Sequence, residues 1–198
     1  MAGLVEESIY WACELLGSQR PEQMQAVIEG DRRIDLMENQ VDENILTILA
    51  TQQPVAGDLR LLAAFLKIAS NLERIGDQAV NLAQRAQALA QRDPLPTPGR
   101  ILVMGELARQ MTAACLDALV RKDADRARRV LERDDELDQL CRELLEEMVA
   151  WMNAEQRLTR RGVEFILASR HLERVGDLAC NIAEEVVFLV EGRVIRHL

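Results

Sequence analysis

The chain has 198 residues, with 33 Asp and Glu against 24 Lys and Arg and a formal charge of −9. Apolar residues make up 48% of it but aromatics only 3%, a balance that argues against a β-sandwich or barrel and toward helices. The acidic excess disfavours nucleic acid and anionic membrane surfaces and leaves cationic partners open, metal ions being the smallest. Cys13, Cys115, Cys141 and Cys180 show no paired spacing, so neither a disulfide scaffold nor a zinc knuckle is expected. The N-terminus lacks a basic region followed by an apolar run, and the longest apolar stretches are interrupted by Lys67 or by Glu184 and Glu185. A soluble, cytoplasmic protein without membrane insertion is the expectation.

Apolar residues recur at threes and fours along the whole chain, and this period predicts six helices at roughly 4–17, 21–51, 55–92, 100–121, 124–152 and 159–190. Pro21 and Pro54 read as first-turn prolines that open the second and third helices. Pro94, Pro96 and Pro98 cannot lie within a helix and mark a semi-rigid linker near the midpoint. No alternating strand pattern competes.

The two halves are copies. LERIGDQAVNLA at 72–83 and LERVGDLACNIA at 172–183 agree at eight of twelve positions. Upstream, Ile28–Asp35 matches Leu131–Asp138 at a shift of 103, a register that also aligns Leu4 with Leu107. The predicted fold is all-α, two tandem homologous three-helix bundles, with residues 1–93 as the first repeat and 94–198 as the second.

Each copy carries two acidic pairs at a spacing of four: Asp31/Asp35 and Glu73/Asp77, then Asp134/Asp138 and Glu173/Asp177. That spacing stacks both side chains on one helix face, where like charges repel by a few tenths of a kcal/mol (roughly 0.2–0.5). One pair in so acidic a chain means little, but four at matching places point to oxygen coordination of a hard cation such as Mg²⁺, Ca²⁺, Mn²⁺ or iron. The competing reading is a solvated acidic face with Arg74 and Arg174 in ordinary ion pairs. Gly76 and Gly176, inside long helices at a cost of about 1 kcal/mol each, signal a crowded neighbourhood. Asn81 and Asn181 add a neutral oxygen one turn beyond each aspartate.

The segments Val27–Asp31, Pro54 through Leu61, Leu72–Asp77 and His171–Asp177, the last followed by Asn181, resemble the PhoU family of phosphate-transport regulators over essentially the whole chain. The resemblance implies two three-helix bundles and metal ions, including multinuclear iron clusters, on Asp31, Asp35, Glu73, Asp77, Asp134, Asp138, Glu173 and Asp177. It also implies negative regulation of phosphate uptake and of phosphate-starvation signalling, with a phosphate ABC transporter (its ATPase subunit) and a sensor histidine kinase as partners. The opening of the third helix, Gln53–Arg60, has no close copy before Arg160, which leaves room for the two bundles to differ.

Catalysis has no visible carrier: Glu-x-x-His, GxGxxG, the P-loop, HExxH and GxSxG are all absent. A non-enzyme is expected, with a carboxylate-bridged metalloenzyme and a metal-free structural adaptor as the alternatives. His171 points about 200° around the helix from Glu173, and it and the tail residue His197 read as surface or packing residues. Trp11 and Trp151 read as core edges. Arg157, Arg160 and Arg161 form the densest basic patch, with Arg126, Arg128 and Arg129 nearby. Long apolar helix faces are compatible with a homodimer.

Overall fold

In a computed structural model of the protein, residues 1–18, 23–91 and 96–195 are described. The elements are α1 (Ala2–Ser18), α2 (Met24–Gln52), α3 (Gly57–Ala90), α4 (Gly99–Arg121), α5 (Ala124–Leu131), α6 (Asp134–Ala154), a 3₁₀ turn (Gln156–Leu158) and α7 (Thr159–Glu191). There is no strand among the described residues. Pro21, Pro94, His197 and the boundary expected at 93/94 lie outside them.

Helices α1, α2 and α3 pack on one another as one bundle, and α4, α5/α6 and α7 as the other. The long helix expected at 124–152 is interrupted at Glu132–Arg133. Charge explains the break: Arg128 and Arg129 occupy the last turn of α5, and Asp134, Asp135 and Glu136 the first turn of α6. Each set complements its helix dipole, so two helix ends are stabilised where a continuous helix would gain nothing. Asp123 caps α5 by accepting a hydrogen bond from the Arg126 amide at 2.9 Å.

Pro54 does not open α3. Gln53 ends α2 in the left-handed conformation (φ 46°), and Ala56, also at positive φ, precedes the first helical residue, Gly57. Pro54 therefore sits in the link between the helices. Pro98 does stand at the start of a helix, as the residue before α4.

The bundles share one core. Ile68, Leu72, Ile75 and Leu82 of α3 join Phe165, Leu172, Val175 and Ile182 of α7 in a single apolar cluster that includes residues of every α-helix. Each large side chain buried this way contributes about 1.5–3 kcal/mol. Small residues, Ala79, Ala83 and Ala86 on α3 and Ala179 and Ala183 on α7, are buried along the same stretch. Across the seam Lys67 meets Glu185 at 3.1 Å, Gln78 meets His171 at 2.9 Å and Arg85 meets Glu164 at 3.2 Å. As the number rises on one helix it falls on the other, so α3 and α7 are antiparallel and cross near Ile75 and Val175. The duplicated motifs thus lie back to back, with α2 packed outside α3 and α6 outside α7.

Candidate functional site: two carboxylate clusters on the helix seams

The first cluster sits between α2 and α3. Asp31 and Asp35 face α3 one turn apart, and Glu73 and Asp77 face back from α3. Gly76 makes this approach possible: a Cβ there would lie 3.0 Å from both Asp31 Oδ1 and Ile34 Cδ1. Burial first, then the charges of Asp35 and Asp77, push the Asp31 carboxyl up to about 6. Burial, then Asp77, Glu38, Asp35 and Asp31, push Glu73 up to about 7. Such upward shifts mean that burial, and then like charge without a basic partner, disfavours the ionised forms. Among the described residues, none of Asp31, Asp35, Glu73 and Asp77 has a basic side chain within salt-bridge distance. Asp31 Oδ1 is closed off from solvent with no hydrogen-bond partner.

Glu38 belongs to this cluster and was missed from the sequence. Its carboxyl is raised by burial and by Asp42, an effect partly offset by a hydrogen bond with Ser70. The signal was available: 31, 35, 38 and 42 form one stripe at alternating steps of four and three.

The second cluster has the same plan and a different balance. Asp134 is raised by burial, then by Asp177 and Asp138, partly offset by a hydrogen bond with Cys180. Asp138 is raised by burial and Glu173, partly offset by Arg142. Here arginines close in. Arg170 holds Glu173 at 2.6 Å, Arg174 holds Asp177 at 2.9 Å, and Arg142 lies 3.8 Å from Asp138. Cys141, the counterpart of Glu38, donates its thiol hydrogen to Glu173 Oε2 at 3.0 Å. The structure therefore brings together all eight carboxylates picked out by spacing, four on each seam, and among the described residues arginines stand against three of the second four, Asp138, Glu173 and Asp177, and against none of the first. Among the described residues, no three His, Cys, Asp or Glu side chains are already converged tightly enough to grip a metal ion.

Other expected features fall into place or are corrected. His171 packs at the α3–α7 seam, where burial and Arg85 lower its pKa. Trp11 and Trp151 pack at the edge of the core. The basic patch at 157–161 is not a surface feature as a whole. Arg161 is buried, donates to the Leu89 carbonyl at 3.2 Å and lies over the Phe165 ring. The reason is burial at the end of a long helix, where the guanidinium satisfies a carbonyl left at the end of α3. Arg126 is paired with Asp117 and Arg128 with Glu191, each at 2.7 Å. No helix among the described residues is long and apolar enough to cross a membrane.

Two antiparallel copies of a three-helix unit, each with a carboxylate seam between its two long helices, define a duplicated all-α protein built around acidic sites. The PhoU domain pattern matches residues 1–86 and again residues 101–186, and the chain belongs to the PhoU family. It is 40% identical over 200 residues to a phosphate-specific transport system accessory protein PhoU homolog of Pseudomonas putida, covering the whole of this chain and 78% of that protein. It is 37% identical over 197 residues to the homolog so named in Aquifex aeolicus, covering 89% of that protein. The crystal structure of PhoU from Pseudomonas aeruginosa superposes with a TM-score of 0.94 at 39% identity, over 98% of this chain and 93% of that one. The phosphate transport system regulatory protein PhoU from Streptococcus pneumoniae superposes with a TM-score of 0.90 at 26% identity, over 98% of this chain and 91% of that one.

Proposed function

We propose that this chain is a non-catalytic regulatory accessory protein of phosphate transport, a cytoplasmic helical adaptor that negatively regulates phosphate uptake and phosphate-starvation signalling. In this reading it contacts a phosphate ABC transporter through its ATPase subunit, contacts a sensor histidine kinase, and carries metal ions on its carboxylate clusters. The regulatory part is supported by family membership across both halves. The metal part is supported by one observation above the rest: Asp31 Oδ1 is buried and unpartnered inside a cluster of like charges.

The first-half donors fit a hard cation in kind. Asp31, Asp35, Glu73 and Asp77 supply oxygen only, with Glu38 adjacent, and their repulsion is what a multivalent cation would relieve. Iron, including multinuclear iron, is the first candidate, with Mg²⁺, Mn²⁺ and Ca²⁺ as alternatives. A bound ion would supply counter-charge and tie α2 to α3. The side chains must rotate to converge, and Asp77 is exposed enough to do so. Asp134, Asp138, Glu173 and Asp177 match in type, but the arginines against the last three must first be displaced.

The test is a pull-down from phosphate-replete cells with the wild type and with Asp77→Ala/Asp177→Ala. Transporter and kinase recovered with wild type and lost with the variant support the adaptor reading, and neither recovered with wild type overturns it. Elemental analysis of tag-free protein purified without chelator separates the metal question. Equal, negligible metal in wild type and variant leaves a metal-free adaptor. Metal-dependent turnover that vanishes with the aspartates would instead promote the metalloenzyme.

A further inference from the structure

The two seams carry the same four carboxylates but differ in what surrounds them. At the repeat shifts, Arg142 stands where the first half has Asn39, and Arg170 where it has Ser70. Cys141 replaces Glu38, and Cys180 replaces Val80. Two of these exchanges add a cation to the second seam, one removes an acid and one adds a thiol. The exchange that runs the other way, Arg32 and Arg33 for Asp135 and Glu136, falls on exposed positions. Among the described residues, neither of those arginines is within salt-bridge distance of a seam carboxylate.

Each carboxylate of the second seam therefore already has a partner from the protein. Asp134 hydrogen-bonds with Cys180, and Arg142 lies 3.8 Å from Asp138. Arg170 and the Cys141 thiol reach Glu173 at 2.6 and 3.0 Å, and Arg174 holds Asp177 at 2.9 Å. In the first seam Asp31 Oδ1 is closed off from solvent with no partner. The floors differ too. A Cβ at Gly76 would lie 3.0 Å from Asp31 Oδ1, whereas at Gly176 it would meet Leu137 Cδ2 at 2.4 Å and Asp134 Oδ1 only at 3.5 Å. The carboxylate sits deep in one seam, and an aliphatic side chain takes the closer place in the other.

The affinity of an oxygen site for a hard cation follows the charge count of its ligands. The arginine pairs are exposed and individually weak, so they do not seal the second seam. They hold positive charge within a few ångströms of where an ion would sit, and a divalent ion feels each of those charges twice over.

We propose that the two seams are unequal cation sites: a divalent cation loads the first, and the second is held by its own arginines and thiols without one. The inference rests on the metal reading of the first cluster. The α2–α3 seam is then the conditional one, tightened when the ion is present, and the α6–α7 seam is constitutive.

The experiment uses tag-free full-length chain stripped with chelator, titrated with Mn²⁺ followed by EPR and, separately, with Fe²⁺ under argon. Asp31→Asn/Asp35→Asn should weaken uptake about tenfold or more, and Asp134→Asn/Asp138→Asn should leave it unchanged. Hydrogen exchange of the wild type should slow on adding Mn²⁺ over residues 27–42 and 66–80, and not over 134–145 and 166–180. Arg142→Asn/Arg170→Ser/Cys141→Glu, which restores the first-half residues, should create a second class of uptake. Unfolding midpoints report whether each variant is folded, and the wild-type exchange pattern decides the matter if one is not. Uptake lost equally with either aspartate pair, or protection gained over α6 and α7, overturns the inequality and leaves the metal reading standing. A folded triple variant with uptake identical to wild type also overturns it. No uptake of either ion by the wild type overturns the metal reading, and this inference with it.

Discussion

Neutralising the first carboxylate cluster should make the metal-free protein more stable, although it removes charges and adds no contact. Asp31 rises from 3.8 to about 6 and Glu73 from 4.5 to about 7 on folding. Acids whose folded values lie above their unfolded ones bind more protons in the folded state. Their ionisation therefore opposes folding, and stability rises as the pH falls from about 7 toward about 4. Each pK unit corresponds to 1.36 kcal/mol, but both side chains are partly solvated and share one mutual repulsion. Screening reduces the expected gain for the pair to about 1–2 kcal/mol. In a chain of this length that is a rise of about 2–8 °C in Tm. The assay is thermal unfolding in chelator at pH 7.5 and 5.5, for wild type and for Asp31→Asn/Glu73→Gln. Wild type should melt higher at pH 5.5, and the variant should melt higher than wild type at pH 7.5 and lose most of the pH dependence. A variant less stable than wild type at pH 7.5, or a wild-type Tm that falls over this interval, would refute the account of an unneutralised cluster.

The repeated glycines should respond unequally to alanine. At Gly176 the added Cβ would lie 2.4 Å from Leu137 Cδ2, whereas at Gly76 the nearest atoms are at 3.0 Å. Gly176→Ala should cost about 1–3 kcal/mol in urea unfolding, and Gly76→Ala should be near neutral because gained helix propensity offsets the crowding. The paired phenylalanines give a sharper contrast: Phe165→Ala should cost about 3–5 kcal/mol and Phe65→Ala less than about half of that. Cys115, fully buried and with its thiol pushed up to about 12 by that burial, should resist iodoacetamide in the native protein at pH 8. Intact mass should show its modification only after denaturation.

Most of the fold was written in apolar spacing, since long helices with a periodic face have few alternatives. The interruption at Glu132–Arg133 was also encoded, as two arginines followed by three acids, but it is an end-charge signal that periodicity ignores. The carboxylate seams were legible because repetition singled out four pairs among 33 acids. What decides their chemistry was not. Arg170 and Arg174 neutralise one seam, while Arg74 pairs with no carboxylate of the other. Position 170 is Arg where position 70 is Ser, and position 141 is Cys where position 38 is Glu. Such differences acquire meaning only once a tertiary contact shows which side chains share a space. Arg161 makes the same point, since a guanidinium in a basic run looks solvated until the helix end beneath it is seen.

The antiparallel crossing of α3 and α7 near residues 75 and 175 gives this single chain two outward-facing seams, which the proposed adaptor role would use as two ends. A tandem duplication whose copies faced the same way would only lengthen one surface. Here a half-turn sends the copies outward in opposite directions from a common core. In the proposed adaptor role, a partner engaging one seam would leave the other available at a fixed separation, and a second engagement would then benefit from a high effective concentration without dimerisation. Because one seam is neutralised by arginines and the other is not, the two ends are also distinguishable. The two ends can change independently while the core that joins them stays the same.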